Sequence, residues 1–141
     1  MAEDMNHTVE DNWCFVCGKD NPIGLHLDMH LTEQGCYAYF VPKKEHESYG
    51  DRMHGGLIST LLDEVMGDYI FKTTGIPAYT ARIEIRFRKP VRIGERIKIE
   101  GKIVNRRGRL YETVGTITTA DGTVAAEAKA KMMSAGKKAK G

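Results

Sequence analysis

Met53-His54-Gly55-Gly56-Leu57-Ile58-Ser59-Thr60-Leu61-Leu62-Asp63-Glu64 is the stretch on which the reading of this chain turns. Leu57, Ile58, Leu61 and Leu62, continued by Val65, Met66, Tyr69 and Ile70, recur at the helical period and predict a helix from about Gly55 to Thr74. Gly75-Ile76-Pro77 stops it. The apolar positions cover a broad arc, so most of this helix is surrounded by the rest of the chain. Asp63 falls just outside the arc, near Gly56, Ser59 and Gly67, and Glu64 lies about 100° further round, away from the core. Gly67 costs roughly 1 kcal/mol relative to Ala inside a helix and reads as a close approach of another backbone. The two glycines stand at the helix mouth, where exposed N–H groups attract negative oxygen. A carboxylate two turns further in can act as base or nucleophile. That pairing suits acyl transfer better than plain binding.

Outward from the helix the period changes to two. Leu25, Leu27, Met29 and Leu31 alternate with polar residues after the turn Asn21-Pro22-Ile23-Gly24, which predicts a half-buried strand over 25–32. A second short strand follows over Cys36 to Val41, then a polar loop from Pro42 to Arg52. After the helix, Tyr79, Ala81, Ile83, Ile85 and Phe87 alternate strictly with Thr80, Arg82, Glu84, Arg86 and Arg88, and Pro90 ends the strand. Ile97, Ile99 and Ile103 mark the next strand, with Asn105-Arg106-Arg107-Gly108 as its turn. Leu110 to Thr119 and Val124 to Met132 flank the hairpin signal Asp121-Gly122. Two strands, one long helix and four strands in hairpin order predict an α+β domain: an antiparallel sheet of about six strands wrapped around one central helix. Its limits fall at residues 13–134, between a flexible N-terminus (1–12) and a flexible basic tail (135–141). Open sheet edges predict a homodimer.

The 141 residues, 41% hydrophobic, suffice for one packed core. No apolar run approaches the ~20 residues of a membrane span, the acidic start does not read as a signal peptide, and a cytoplasmic protein is expected. The formal charge is only +2, yet eleven Lys or Arg face three acids between Arg82 and Arg109. That stretch could meet phosphates or be the solvated face of a sheet. It lacks the interleaved aromatics of single-stranded nucleic-acid binders, and no nucleic-acid partner is expected. Of the three cysteines, Cys14 and Cys17 form half a zinc knuckle with no second Cys-x-x-Cys. Cys36, His26 or His30 would complete it only by accident of folding, or a partner subunit could help; the pair reads rather as turn or surface thiols, and no metal is expected.

His54-Gly55-Gly56 with Asp63 nine positions after the histidine resembles the hotdog-fold acyl-CoA thioesterases, especially the phenylacetyl-CoA thioesterase branch. Cys14-Phe15-Val16-Cys17-Gly18 with Asn21-Pro22-Ile23-Gly24-Leu25, Tyr79-Thr80-Ala81-Arg82-Ile83-Glu84-Ile85, and Phe87-Arg88-Lys89-Pro90 with Gly94-Glu95 carry the likeness along the chain. The resemblance implies hydrolysis of an acyl-CoA thioester to acid and coenzyme A, without metal or cofactor, in a homodimer that assembles into a homotetramer. It implies an N–H of Gly55 on the thioester carbonyl, Gly56 as a substrate-binding residue beside it, and Asp63 as general base or nucleophile. Thr80 would orient water or the carboxylate, and His54, also a catalytic candidate, would brace the loop and touch the carbonyl. Ser48 stands where some relatives carry Asn near the scissile bond. Arg88, Lys89 and Arg109 are candidates for the coenzyme A phosphates. The residue types alone also admit plainer roles: Asp63 as a paired interface acid, His54 as packing, Thr80 as an edge residue and the three cations as solvated charge.

Gly55 and Asp63 are eight residues apart, about 12 Å along one helix at 1.5 Å per residue. One carbonyl cannot reach both in a single chain, so two antiparallel helices, one from each subunit, would each supply one end. Other readings fit less well. A dehydratase of the same fold would want a His within Leu57 to Thr74, and none is there. An acyl-CoA sensor that binds without hydrolysis would want an effector domain and has no use for Asp63.

Overall fold

The computed structural model describes residues 12–136. Six strands, β1 (His30–Leu31), β2 (Gly35–Phe40), β3 (Ala78–Phe87), β4 (Ile97–Arg107), β5 (Leu110–Thr119) and β6 (Val124–Ser134), form one antiparallel sheet in the order β1-β2-β4-β5-β6-β3. The helix α1 (Gly55–Thr74) lies on one face of it. This is the expected hotdog arrangement. Its core joins Ile58, Leu61, Leu62, Val65, Met66 and Ile70 of α1 to Ile97, Ile99, Ile117, Ala128, Ala130 and Met132 of the sheet. Gly75, in the left-handed region at φ 74°, ends α1 and donates to the Phe71 carbonyl.

The depth at which α1 sits is set by glycine on the sheet rather than on the helix. A Cβ at Gly101 of β4 would lie 2.3 Å from the Val65 carbonyl oxygen, so strand and helix backbones meet there. The same carbonyl accepts the Cys36 thiol at 3.3 Å. Burial, with the Asp68 and Glu64 charges adding, pushes that thiol up to about 12, so it remains a donor. Gly67, expected at a backbone approach, meets only the end of the Met132 side chain, at 3.8 Å from its added Cβ. The helix period located the glycine but not the element opposite it.

Three further readings change. Only His30 and Leu31 of the segment 25–32 pair in the sheet, with Tyr37 and Cys36. Leu25 and Leu27 are buried as the alternation requires, but their N–H groups bond the Phe15 and Val16 carbonyls at 2.8 Å, which diverts them from β2. Strand β4 runs through Arg107, and its turn is Gly108-Arg109, with Gly108 at φ 62°. In β3 the strict alternation breaks. Thr80 pairs with Met132 and Arg82 with Lys131, so Ala81 is the extra residue of a bulge. The bulge moves Thr80 from the arginine face to the helix-facing side that Ile83 and Ile85 share.

The mobile termini expected at 1–12 and 135–141 lie outside the described residues except for Asn12, Ala135 and Gly136. Of these, Ala135 donates to Pro77 and Asn12 accepts from Asp20, both at 2.9 Å. Among the described residues no helix is long and apolar enough to cross a membrane.

Gly101→Ala should cost about 2 kcal/mol or more, because neither backbone can give way, whereas Gly67→Ala should raise stability by up to about 1 kcal/mol. Urea denaturation midpoints of the two variants check the assignment, and the opposite ordering would contradict it.

Candidate active site

At its N-terminus α1 is capped by His54, an extended residue (φ −62°, ψ 131°) whose Nδ1 accepts the Gly56 N–H at 2.9 Å. An accepting Nδ1 places the proton of neutral His54 on Nε2. A Cβ on Gly56 would lie 3.0 Å from that nitrogen, so glycine at 56 keeps the cap. The cap is itself anchored: His54 N–H donates to the His46 carbonyl at 2.8 Å and Met53 N–H to the Val91 carbonyl at 2.8 Å. Gly56, expected to bind substrate, is thus occupied by the cap, while the Gly55 N–H in the first turn donates to no group among the described residues; a Cβ on Gly55 would meet the Phe87 ring at 3.7 Å.

Asp63 stands half-buried two turns along α1. Thr80 Oγ1 donates to its Oδ1 at 2.5 Å, and Oδ2 accepts no hydrogen bond among the described residues. The β3 bulge makes this possible, since without it Thr80 would point to the opposite face of the sheet. Sequence parity alone put Thr80 on the arginine face. No local sequence signal marks this bulge, whereas Met132, which also touches Thr80 Oγ1 at 3.5 Å, was legible only as an inward strand residue.

The remaining candidates fall apart in space. Ser48 is exposed and turned into its own loop, its N–H and hydroxyl both on the Arg52 carbonyl, at 2.8 and 3.4 Å. Arg88 grips Glu127 through Nε at 2.6 Å and through a second guanidinium nitrogen. Lys89 follows it at the end of β3 nearest Gly55, with no side-chain partner among the described residues. Arg109 occupies the β4–β5 turn beside Ser134 and Gly136, the end where β6 meets Ala78. The length of β3, roughly 30 Å at 3.3 Å per residue, separates it from Arg88 and Lys89 within one chain. The basic stretch does not converge on one anion site. Arg82 and Arg86 lie on the outer sheet face, and Arg96 and Lys98 lie over the Tyr39 and Tyr37 rings at 3.9 and 5.0 Å. Those rings come from the neighbouring strand β2, so reading the stretch by itself missed them.

Glu64 also departs from expectation. It does not face open solvent but lies under the N-terminal segment, with the Cys14 and Cys17 thiols on its carboxylate. Burial raises its pKa, and the Asp68 charge adds to the rise. The two adjacent acids of α1 thus face different neighbours, Asp63 toward β3 and Glu64 toward the cysteines. His26 is occupied at the Asn21 carbonyl (2.7 Å), His30 stacks on Tyr37, and Cys36 bonds Val65, so none of the three joins Cys14 and Cys17.

The profile of the thioesterase superfamily matches residues 50–126. A Streptococcus mutans protein solved with acetyl-CoA bound is 26% identical, over 79% of this chain and 90% of that one, with a TM-score of 0.73. A hypothetical thioesterase from Streptococcus pneumoniae, solved with coenzyme A, is 19% identical over 79% and 90% of the two chains (TM-score 0.72). A phenylacetic acid degradation-related putative thioesterase from Ralstonia eutropha is 19% identical over 77% and 85% (TM-score 0.70). No curated protein matches the chain.

Removing the cap acceptor with His54→Ala should destabilise the protein by about 1 kcal/mol, and His54→Asn, which restores an acceptor, should recover most of it. Equilibrium unfolding of the two variants measures the difference.

Proposed function

The chain belongs to the thioesterase superfamily, and on that footing we propose that it is an acyl-CoA thioesterase whose active site is completed by a second copy of the chain. The observation that carries this reading is the Asp63 carboxylate, held by Thr80 at 2.5 Å with its other oxygen uncommitted, on the same helix as a free Gly55 N–H. Both belong to one continuous α1, about 12 Å apart along its axis. A partner helix running antiparallel brings Gly55 of one subunit to Asp63 of the other. The shape of the chain supports such a partner: the ten-residue β3 is an open edge, and Tyr79 and Phe87 near its ends are 63% and 55% exposed.

In that site the thioester carbonyl oxygen accepts the Gly55 N–H. The helix mouth stabilises the oxyanion as it forms, at a few kcal/mol per well-placed donor. Asp63 Oδ2 either takes a proton from water, which attacks the carbonyl carbon, or attacks that carbon itself and forms an anhydride that water opens. In both routes the carbon–sulfur bond breaks and the sulfur leaves with a proton, giving acid and free thiol. Thr80 fixes the carboxylate rotamer, and His54 acts through the cap that shapes the first turn. Acyl-CoA as the substrate rests on the family and on the acetyl-CoA bound by the Streptococcus mutans relative. Lys89, at the Gly55 end and uncommitted, is the cation best placed for the phosphates. Arg88 is tied to Glu127, Arg109 lies at the far end, and Ser48 is spent on its loop. A sensor that binds acyl-CoA without hydrolysis has no use for a carboxylate so oriented.

The test is thiol release from aromatic, short-, medium- and long-chain acyl-CoAs. Asp63→Asn should lower turnover by about 10²- to 10⁴-fold while binding persists. Gly55→Pro removes one N–H at a helix position that tolerates proline, after an extended residue, and should cost about 10²- to 10³-fold. Mixing the two inactive variants with subunit exchange should restore about a quarter of wild-type activity, because half the dimers carry one intact site. Unimpaired turnover in Asp63→Asn would defeat the catalytic assignment, and absence of rescue in an exchanged mixture would defeat the shared site.

A further inference from the structure

The side of α1 next to the hydrolytic acid carries a second cluster that the thioester reaction does not use. Cys14-Phe15-Val16-Cys17-Gly18 closes a tight turn in which Gly18 N–H donates to the Cys14 carbonyl at 2.9 Å. Glycine is needed there, because a Cβ at 18 would lie 2.4 Å from both Asn12 O and Cys14 N. The turn is pinned to the following segment by the Leu25 and Leu27 N–H groups, and its Val16 side chain is buried. Its two thiols are thereby aimed at one point on the helix, and Glu64 occupies that point. Cys14 Sγ lies 3.7 and 3.9 Å from the two carboxylate oxygens, and Cys17 Sγ 3.3 Å from Oε2. The two sulfurs and a carboxylate oxygen lie within 4.8 Å of one another, and all three residues are half-buried.

The sulfur–oxygen separations match those a tetrahedral ion imposes, and the two sulfurs, within 4.8 Å of each other, lie close enough to share one. Zinc bonds of about 2.3 Å to sulfur and 2.0–2.2 Å to a carboxylate oxygen place sulfur and oxygen about 3.5 Å apart and the two sulfurs about 3.8 Å apart. The observed 3.3 and 3.7 Å bracket the first value. Two thiolates exclude the oxygen-loving magnesium and calcium and favour zinc or a similar borderline ion. We propose that Cys14, Cys17 and Glu64 form a zinc-class metal site that clips the N-terminal turn to α1 beside Asp63. The described residues supply three protein donors of a tetrahedral set. Without the ion the thiols donate to the carboxylate. With it, the two thiol protons pass to solvent, and two thiolates and one carboxylate share the divalent charge. The clip closes a span of 50 residues between Cys14 and Glu64, and it therefore stabilises the fold by restricting the unfolded chain as well as by the bonds themselves.

The test does not involve turnover and so stands or falls apart from the thioesterase reading. The reduced, chelator-stripped chain is titrated with cobalt(II) alone and then with zinc. One cobalt per chain should bind, with a near-ultraviolet thiolate-to-metal charge-transfer band that an equivalent of zinc abolishes. Cys14→Ser and Cys17→Ser should each weaken binding about tenfold or more and cut the band, whereas Glu64→Gln should weaken binding and keep it. In the wild type, one equivalent of zinc should protect Cys14 and Cys17 from alkylation, a readout that needs no variant to fold. No charge-transfer band at saturating cobalt would overturn the site. A band that persists unchanged in both cysteine variants would place the metal elsewhere and overturn it equally.

Discussion

The contact between Gly101 and the Val65 carbonyl governs how this molecule is put together. A long helix can rest on a sheet at the distance its side chains dictate, or closer where the sheet offers no side chain at all. Here β4 offers none at the midpoint of α1, and Cys36 from β2 adds its thiol to the same carbonyl. The helix is therefore located along and across the sheet at one point. Every functional group on it inherits that position: Gly55 at one end, Asp63 facing β3, and Glu64 facing the N-terminal turn.

The second determinant is a single extra residue. Along β3 a strict alternation would send Thr80 outward with the arginines, away from Asp63. The bulge at Ala81 costs one ladder position and turns the hydroxyl inward, to 2.5 Å from the carboxylate. Local irregularity of this kind is how a regular sheet delivers a polar side chain to a mostly apolar interface. His54 acts in a comparable way at the helix mouth. By taking the Gly56 N–H it stiffens the first turn and leaves the Gly55 N–H as the donor still open.

In the proposed reaction, rigidity of the helix is the reason a single chain does not suffice. Eight residues of α-helix cannot be shortened, so the Gly55 N–H and the Asp63 carboxylate of one chain stay about 12 Å apart. In the proposed dimer, the exposed ten-residue edge with aromatic residues near each end is the surface on which a second copy would bring the two together. On this view assembly is a consequence of placing both groups on one straight element, not an addition to a finished site. The same helix also joins the N-terminal turn to the surroundings of Asp63, since the carboxylate next to Asp63 is the one the cysteines approach.

The amino-acid sequence by itself determined the parts that depend on short-range periodicity and on residue type. The helix limits, four of the strands, the Asp121-Gly122 hairpin and the pairing of a glycine-rich helix mouth with Asp63 follow from patterns within about twenty residues. Resemblance to a family brought Thr80 and His54 onto the page, although strand parity placed Thr80 on the wrong face. Tertiary structure decided what depends on residues far apart in the chain. It diverted Leu25 and Leu27 to the Phe15–Val16 turn, put Gly101 rather than Gly67 at the backbone contact, committed Arg88 to Glu127, and covered Glu64 with two thiols. The physical reason is one of range. Periodicity reports which side of an element is apolar, but what that side meets is set by how α1 and the sheet fill one common volume, and no local pattern carries that information.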